Sequence, residues 1–336
     1  GKYSYSGSKS GTLQSGDSVK LAHGESITIS GIPSGTKYKV TEVEANRNGY
    51  VTTAENDAGT ISSSATARAA FTNRMNPEDL STEDHYGYII GYPMDYRTGE
   101  PTRDQALWPI QPANNITRAE VATIFFRLLS DQARETYWKQ TNNYSDVDID
   151  QWFNNAISTL SNMALINGYP DGTFRPDAYI TRAEFAKIAA GFFDYATSYQ
   201  QGTYVDVDAN AWYADYIAAA VDLGLINGYP DGTIRPDVGI IRAEACTIVN
   251  RTLGRAPDKD YLLPTSEMRV WPDNSDTSVW YYAHMQEATN SHDYDWADAG
   301  NDRIETWTAK LPDRDWEALE KEWSNANSAP GGEVMN

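Results

Sequence analysis

The sequence predicts a multi-domain protein in which a partial all-β sandwich precedes an all-α, three-pronged body with pseudo-threefold symmetry. Its 336 residues exceed what one ordinary core accommodates. Residues 1–75 are rich in Ser, Thr, Gly and Val, and apolar and polar residues alternate there between turn signals. From residue 85 onward aromatic residues and helical spacing dominate, and residues 144–193 recur without gaps as residues 204–253. Self-similarity at a fixed period predicts stacked helical units that share a core.

The β region contains "SVKLAHGESITISGIPSGTKYKVTEVEA", with turns at "HGE" and "PSGT", and "ATARAAFTN" is its last strand. Each helical unit is predicted to be helix, loop, helix. Gly168 ends the first helix of one unit, and the second helix runs from about Arg182 to Phe193. We divide the chain into a partial β-sandwich at 1–75, a linker at 76–84, repeat 1 at 85–140, repeat 2 at 141–200, repeat 3 at 201–262 and a C-terminal segment at 263–336.

Repeat 1 lacks the first helix of its unit and carries an inserted loop, "MDYRTGEPTRDQALWPIQ". The missing half resembles "VWPDNSDTSVWYYAHMQEATNSHD" at 270–293, which has an aromatic residue, an acidic loop and a tryptophan in the same order. We therefore predict that the C-terminal segment completes repeat 1 and closes the three units into a ring.

Composition excludes several classes of function. A net charge of −20 disfavours nucleic acid and anionic membranes as partners, and no apolar run is long enough for membrane insertion. The four His residues occupy unrelated contexts, and neither an HExxH pattern nor a Gly-rich phosphate loop occurs, so we expect no enzyme, no cofactor and no metal ligands. "SHDYD" at 291–295 could suggest metal binding, but flexible acidic loops commonly have this composition, and we favour the loop. The Asp-rich loops lack the Gly and Glu of an EF-hand, which leaves only weak Ca²⁺ binding open.

Three related stretches, "ITRAEV", "ITRAEF" and "IIRAEA", begin helices at Arg118, Arg182 and Arg242. Thr followed three residues later by Glu is a capping box, and Ile241 replaces the Thr in the third copy. A cation at the first helical position opposes the helix dipole, so helix formation does not explain the arginines. The residues alone leave two partners open, a structural carboxylate or an anionic ligand.

The ordered pattern "aromatic-x-Asp-Val…Trp…Ala-Ile…INGYPDGTFRP…ITRAE" resembles the S-layer homology domain over roughly residues 80–325. The resemblance implies an extracellular anchor that binds a pyruvylated cell wall polysaccharide linked to peptidoglycan and displays an upstream surface protein. Self-association in an S-layer is also implied. The pyruvate carboxylate then favours an anionic ligand for the arginines, which have the bidentate geometry for it. The alternative is a structural or self-assembly module with these arginines in internal salt bridges.

The resemblance directs attention to the repeat arginines and to the "GYPDG" loops, whose Gly and Asp residues also suit plain turns. Repeat 2, the most regular unit, is our choice for the tightest site. Arg175 and Arg235 are either further anion contacts or partners of the loop carboxylates. We expect Trp152, Trp212 and Trp280 in the core, and the tyrosines in mixed use. The candidate ligand-binding residues are Tyr92, Arg118, Tyr169, Asp171, Gly172, Arg182, Tyr229, Asp231, Gly232 and Arg242.

The first 75 residues resemble a collagen-adhesin B-type (CnaB-like) stalk domain, through "GESITISGIPSGTKYKVTE" and the closing "FTN". This resemblance implies an isopeptide bond between a lysine and Asn73, catalysed by Glu42. The lysine is not identified in this sequence.

Overall fold

The computed structural model describes residues 1–21, 25–43, 50–75, 77–195, 197–299 and 302–327. The chain divides into two compact units, Gly1–Met75 and Asn76–Asn336. The first unit coincides with the predicted β region, and the second contains the repeats.

The first unit consists of short antiparallel strands. The sheets have the orders β2-β1-β3, β4-β6 and β5-β7. At the predicted "PSGT" turn, Thr36 donates its N–H to the Pro33 carbonyl, and Gly35 has a φ of 85°, as a type II turn requires. The sandwich packing and the CnaB-like assignment stay predictions. The strands are β1 (Tyr3–Gly7), β2 (Gly11–Leu13), β3 (Ile27–Ser30), β4 (Lys37–Lys39), β5 (Tyr50–Glu55), β6 (Ala58–Thr60) and β7 (Ala70–Met75).

The second unit is mainly helical. Its helices are α1 (Arg118–Leu128), α2 (Asp131–Tyr137), α3 (Asn154–Asn162), α4 (Arg182–Ala190), α5 (Ala214–Asp222), α6 (Arg242–Leu253), α7 (Tyr282–Thr289) and α8 (Trp316–Asn327). The predicted start of α4 is confirmed, but the helix ends three residues early, at Ala190, with Gly191 as its C-cap. None of the helices in the described part of the chain has the length and apolar character that a membrane span requires.

The helices of successive repeats pack in a cyclic order. The helix that starts at each repeat arginine packs on the first helix of the next unit, which gives the pairs α1 with α3 and α4 with α5. The third such helix, α6, packs on α7 of the C-terminal segment. Phe125 of α1 and Phe185 of α4 are fully buried, with ring centroids 5.7 Å apart. Burial of each such ring stabilises the fold by about 1.5–3 kcal/mol.

A second cyclic feature joins the backbone just before the three helices. Ile180 donates its N–H to the Ile116 carbonyl at 3.1 Å. Ile240 donates to Ile180, and Ile116 donates to Ile240, both at 3.2 Å. All three isoleucines are buried. These hydrogen bonds form a closed set, so each repeat contacts both of the others.

The C-terminal segment supplies repeat 1 with a contact that repeats 2 and 3 make internally. In repeat 2, Asp146 accepts the backbone N–H groups of Phe174 and Arg175 at 2.7 and 2.8 Å. In repeat 1 the acceptor is Asp273, which takes the N–H groups of Ile110 and Gln111 at 3.0 and 2.7 Å. The carboxylate that closes this loop thus comes from a residue 163 positions along the chain.

Two expectations about the second unit are corrected by the structure. The all-α prediction is wrong for residues 292–299 and 302–310, where β8 (His292–Ala299) and β9 (Asp302–Lys310) form an antiparallel pair. "HDYDWADA" alternates aromatic and acidic residues, a strand pattern that the acidic-loop interpretation overlooked. The predicted linker also belongs to this unit, because Glu78 donates its N–H to the Phe192 carbonyl and Leu80 is buried.

Candidate functional site

The capping boxes predicted for the first two "TRAE" stretches are confirmed. Thr117 Oγ1 accepts the Glu120 N–H at 3.2 Å, and Glu120 Oε2 accepts the Thr117 N–H at 2.8 Å. Thr181 and Glu184 repeat both hydrogen bonds. In the third copy only half of the box exists, since Ile241 has no acceptor and Glu244 Oε2 still takes its N–H at 3.0 Å.

The first backbone N–H groups of α1, α4 and α6 are already hydrogen-bonded and are not free to bind an anion. Arg118 and Ala119 donate their N–H groups to the carbonyls of Ala178 and Pro176, at 2.9 and 3.0 Å. Residues at the starts of α4 and α6 make the corresponding hydrogen bonds to the following repeat. These N–H groups join the repeats and do not form an anion site.

Each repeat arginine forms an ion pair with the capping glutamate of the next repeat. Arg118 Nη1 lies 2.6 Å from Glu184 Oε1. Arg242 Nη1 lies 2.8 Å from Glu120 Oε1, which returns the series to repeat 1. We call these three pairs, with Arg182–Glu244, the arginine ring. The internal salt bridges of the alternative hypothesis are therefore present.

The third pair, Arg182 with Glu244, is the loosest, with Nη1 and Oε1 3.7 Å apart. Arg118 donates further hydrogen bonds from Nε to the Phe174 carbonyl and from Nη2 to the Asn167 carbonyl. Arg182 donates from Nη2 to the Asn227 carbonyl, and its buried Nε has no hydrogen-bond partner among the described residues. Arg182 thus has the fewest hydrogen bonds and the longest ion pair of the three arginines.

The candidate tyrosines pack with the ring. The hydroxyl groups of Tyr169 and Tyr229 donate to Glu184 Oε1 and Glu244 Oε1, at 3.0 and 3.1 Å, and Tyr92 donates likewise to Glu120. Burial raises the pKa of each tyrosine, so all three stay protonated donors. Each ring also lies beneath a repeat guanidinium, 4.7–5.3 Å away.

The "PDG" loops are closed by their own side chains. Asp171 accepts the Thr173 N–H at 3.0 Å and pairs with Arg175 at 2.8 Å, and Asp231 makes the same contacts with Thr233 and Arg235. Hydrogen bonds from Thr173 and then Arg175 lower the pKa of Asp171 to about 2. Gly172 and Gly232 have φ angles of 82° and 79°, in the left-handed region. Turn formation therefore accounts for the Asp and Gly residues of these loops, and their contact with a sugar stays a prediction.

The expectation that the repeat tryptophans lie in the core is wrong. Trp152 and Trp212 are each 58% exposed, and Trp280 is 61% exposed. The residue that points inward is the next one: Phe153 is buried, and Trp152 packs against it edgewise at 5.2 Å. Our helical pattern placed the inward-facing position at Trp152, one residue before the buried Phe153. The large ring of Trp152 therefore lies at the surface.

One of these rings lines a groove of about 660 Å³ between repeats 1 and 2. Two exposed aromatic side chains, Trp152 and Tyr179, face three amide side chains there. Of the predicted ligand residues the groove contains Tyr92, whereas no repeat arginine lines it. Sequence reasoning did not select the amides, because they fall in the degenerate repeat 1. The lining residues are Tyr92, Gln111, Ala113, Asn114, Asn115, Thr117, Glu120, Trp152, Asp177 and Tyr179.

The predicted isopeptide residues lie in the first unit. Glu42 is half-buried and follows β4, and Asn73 is on β7, with its side chain outside the described part. The crosslink stays a prediction.

Comparison with known proteins gives two family matches. Residues 143–186 and 203–246 match the S-layer homology domain, and residues 1–75 match a domain of unknown function (DUF7601). The match at residues 1–75 does not identify that unit as CnaB-like.

Similar proteins include surface proteins of two bacteria. A cellulosome-anchoring protein of Acetivibrio thermocellus is 34% identical over 223 residues, which is 65% of this chain and 45% of the relative. Cell surface glycoprotein 1 of the same organism is 33% identical over 63% of this chain and 9% of its own length. A surface layer protein of Brevibacillus choshinensis is 32% identical over 35% of this chain and 10% of the relative. The chain spans less than half of each of these relatives, and the two segments that match the S-layer homology domain are residues 143–186 and 203–246.

Proposed function

We propose that the second unit is a non-catalytic anchor that holds a surface protein to the bacterial cell wall by binding a wall glycan in the groove between repeats 1 and 2. The S-layer homology domains and the surface-protein relatives support this role and locate the chain at the cell surface. The first repeat, completed by the C-terminal segment, would be a divergent copy of the same domain.

The single observation that carries the glycan proposal is the lining of the groove. Exposed aromatic faces at Trp152 and Tyr179 can stack on a sugar ring, and the amides of Gln111, Asn114 and Asn115 offer paired donors and acceptors for hydroxyl groups. Its volume of about 660 Å³ lies in the range of small-molecule sites. None of the described residues that line the groove has a cationic side chain, which suits a neutral sugar ring.

The finer proposal, a pyruvylated polymer, depends on Arg242. This arginine lies behind the groove, where it pairs with Glu120 at 2.8 Å and stacks on Tyr92. A ketal carboxylate would bind by sharing the Arg242 guanidinium with Glu120. Because Glu120 already occupies it, the pyruvate would add less affinity than an unpaired arginine would give.

The test is sedimentation of the purified chain with cell walls, native or chemically depyruvylated. Trp152→Ala should weaken binding to native walls roughly tenfold or more, as for a central aromatic contact. Tyr96→Ala is the matched control, because Tyr96 is an exposed aromatic residue, 47% accessible, that does not line the groove. Both sites are exposed, so both variants should keep the fold.

Two outcomes separate the parts of the proposal. Undiminished wall binding by Trp152→Ala would refute the proposal that the glycan binds in this groove. Equal binding to native and depyruvylated walls would remove the pyruvate and leave the glycan site in place.

The alternative of self-assembly has weaker support. The internal salt bridges that it required join repeats within one chain, so they favour a structural role for the arginines without indicating a second copy. For the first unit we keep the stalk role as a proposal, in line with its position before the anchor.

A further inference from the structure

Four titratable side chains meet in a buried cluster outside the groove and the arginine ring. His85 is at the start of repeat 1, Glu287 is on α7, and His292 and Glu305 are on the β8–β9 pair. Each is at most 3% exposed, and one ligand-type atom from each lies within 4.8 Å of the others. Sequence reasoning missed this cluster because His85 and His292 are 207 residues apart, a separation that no local motif spans.

The spacing of these atoms fits a four-coordinate cation. His85 Nδ1 lies 3.3 Å from His292 Nε2 and 3.2 Å from Glu287 Oε1. His292 Nε2 lies 3.3 Å from Glu287 Oε2, and Glu305 Oε2 lies 3.7 Å from His85 Nδ1. Ligands at the 2.0–2.1 Å bond lengths of Zn²⁺ are separated by about 3.3 Å along a tetrahedral edge.

The surrounding contacts hold three of the four ligands in place. His292 Nδ1 faces the Asn290 carbonyl at 2.9 Å, so it carries the proton and leaves the Nε2 lone pair directed into the cluster. Glu305 Oε1 accepts the Ala256 N–H at 3.0 Å, and Trp307 Nε1 donates to Glu287 at 3.2 Å. The His292 ring is stacked on Trp307, with centroids 3.8 Å apart.

The donor atoms of these side chains are directed at one another. Because His292 Nδ1 carries the proton, the lone pair of His292 Nε2 faces Glu287 Oε2 at 3.3 Å. The other carboxylate oxygen, Glu287 Oε1, lies 3.3 Å from Arg255 Nη1, which is its cationic partner. A cation between the imidazole lone pair and the carboxylate oxygen would relieve their mutual repulsion.

We propose that His85, Glu287, His292 and Glu305 bind one divalent first-row transition metal ion of the Zn²⁺ class. Two neutral imidazoles and two carboxylates balance its charge, and this N₂O₂ set matches the ligands that zinc accepts. The ion acts as a structural clip, because its ligands join the start of repeat 1 to α7 and to the β8–β9 pair. It thereby fastens the C-terminal segment to the repeat that it completes.

The probe is Zn²⁺ added to the whole chain after treatment with a chelator, with uptake followed by calorimetry and by elemental analysis. We expect one equivalent of zinc per chain. At a hundredfold excess over the dissociation constant, the melting temperature should rise by roughly 5–10 °C. Co²⁺ in place of Zn²⁺ should give the intense visible absorption of a tetrahedral site.

Variants assign the ligands. His292→Gln and His85→Gln should each abolish the uptake and the thermal shift. His284→Gln is the control, since His284 is a buried imidazole on α7 outside the cluster, and it should keep both. Zinc uptake that persists undiminished in both ligand variants would overturn the proposal. If those variants do not fold, the wild-type chain decides: failure to bind one equivalent, or a Co²⁺ spectrum that is not tetrahedral, would refute it.

Discussion

The three ring arginines should differ in their contribution to stability, in an order that the structure sets. Arg118→Ala removes the 2.6 Å ion pair with Glu184 and the hydrogen bonds to the carbonyls of Phe174 and Asn167. Loss of one partner of a buried pair costs about 3–5 kcal/mol. The Glu184 side chain is 17% exposed and keeps the Tyr169 hydroxyl, so we expect the lower end, about 3 kcal/mol. Arg182→Ala should cost less, about 1–2 kcal/mol, because its ion pair measures 3.7 Å and its Nε has no partner among the described residues.

The assay is thermal unfolding followed by helical ellipticity, which reports on the second unit. A loss of 3 kcal/mol should lower the melting temperature by roughly 6–12 °C in a unit of this size. Arg175→Ala is the control: Arg175 also pairs with an aspartate, but at 50% exposure, so the melting temperature should not change measurably. A double-mutant cycle with Glu184→Gln isolates the Arg118 pair. Equal losses for Arg118→Ala and Arg182→Ala, or no loss for either, would refute this reasoning.

Three further predictions concern local structure and pH. Ile241→Thr should stabilise the protein by roughly 0.5–1 kcal/mol, because a Thr oxygen would accept the Glu244 N–H as in the other two boxes; an unchanged urea midpoint would contradict this. Stability should fall as the pH drops from about 6.5 to about 4, because burial, aided by Arg251, lowers the pKa of His284 to about 4 while the unfolded chain takes up a proton near 6.5. His284→Gln should flatten that slope in pH-dependent denaturation. Gly168→Ala should lower the melting temperature more than Gly172→Ala, since a Cβ at Gly168 would lie 2.3 Å from the Tyr144 ring whereas Gly172 meets only its own φ strain; the reverse order would count against this packing.

The parts of the structure that sequence predicted are those fixed by local chemistry. The capping boxes follow from Thr and Glu three residues apart, and the structure has the predicted hydrogen bonds. The turn at "PSGT" likewise follows from a Gly that accepts a positive φ. The similarity between repeats was also informative. Residues 270–293 resemble the start of repeat 2, which led us to place them in repeat 1, and there Asp273 accepts the Ile110 N–H.

The wrong predictions share a different cause. Either the contact that determines the structure joins residues far apart in the sequence, or the prediction depends on which of two adjacent residues points inward. Trp152 and Phe153 are adjacent aromatic residues, and nothing local shows which of them points inward. The partner of Arg118 is a glutamate 66 residues away that local reasoning had already assigned to its own helix cap. The cluster of His85, Glu287, His292 and Glu305 depends on the β8–β9 pair. We predicted a loop there from the acidic composition of "SHDYD".

The arginines that oppose their own helix dipoles are explained by how each capping glutamate divides its two oxygens. Oε2 of Glu120, Glu184 and Glu244 accepts the N–H of its own cap residue, while Oε1 faces the arginine and the tyrosine of an inter-repeat contact. A guanidinium at the first helical position is locally unfavourable by roughly 0.3–1 kcal/mol, but the carboxylate across the repeat boundary offsets this. Because one carboxylate serves both the helix start and the joint between repeats, a change at either should be felt at the other. The third copy accordingly loses its capping Thr and keeps its Glu, since Glu244 Oε1 is still needed by the hydroxyl of Tyr229 and the charge of Arg182.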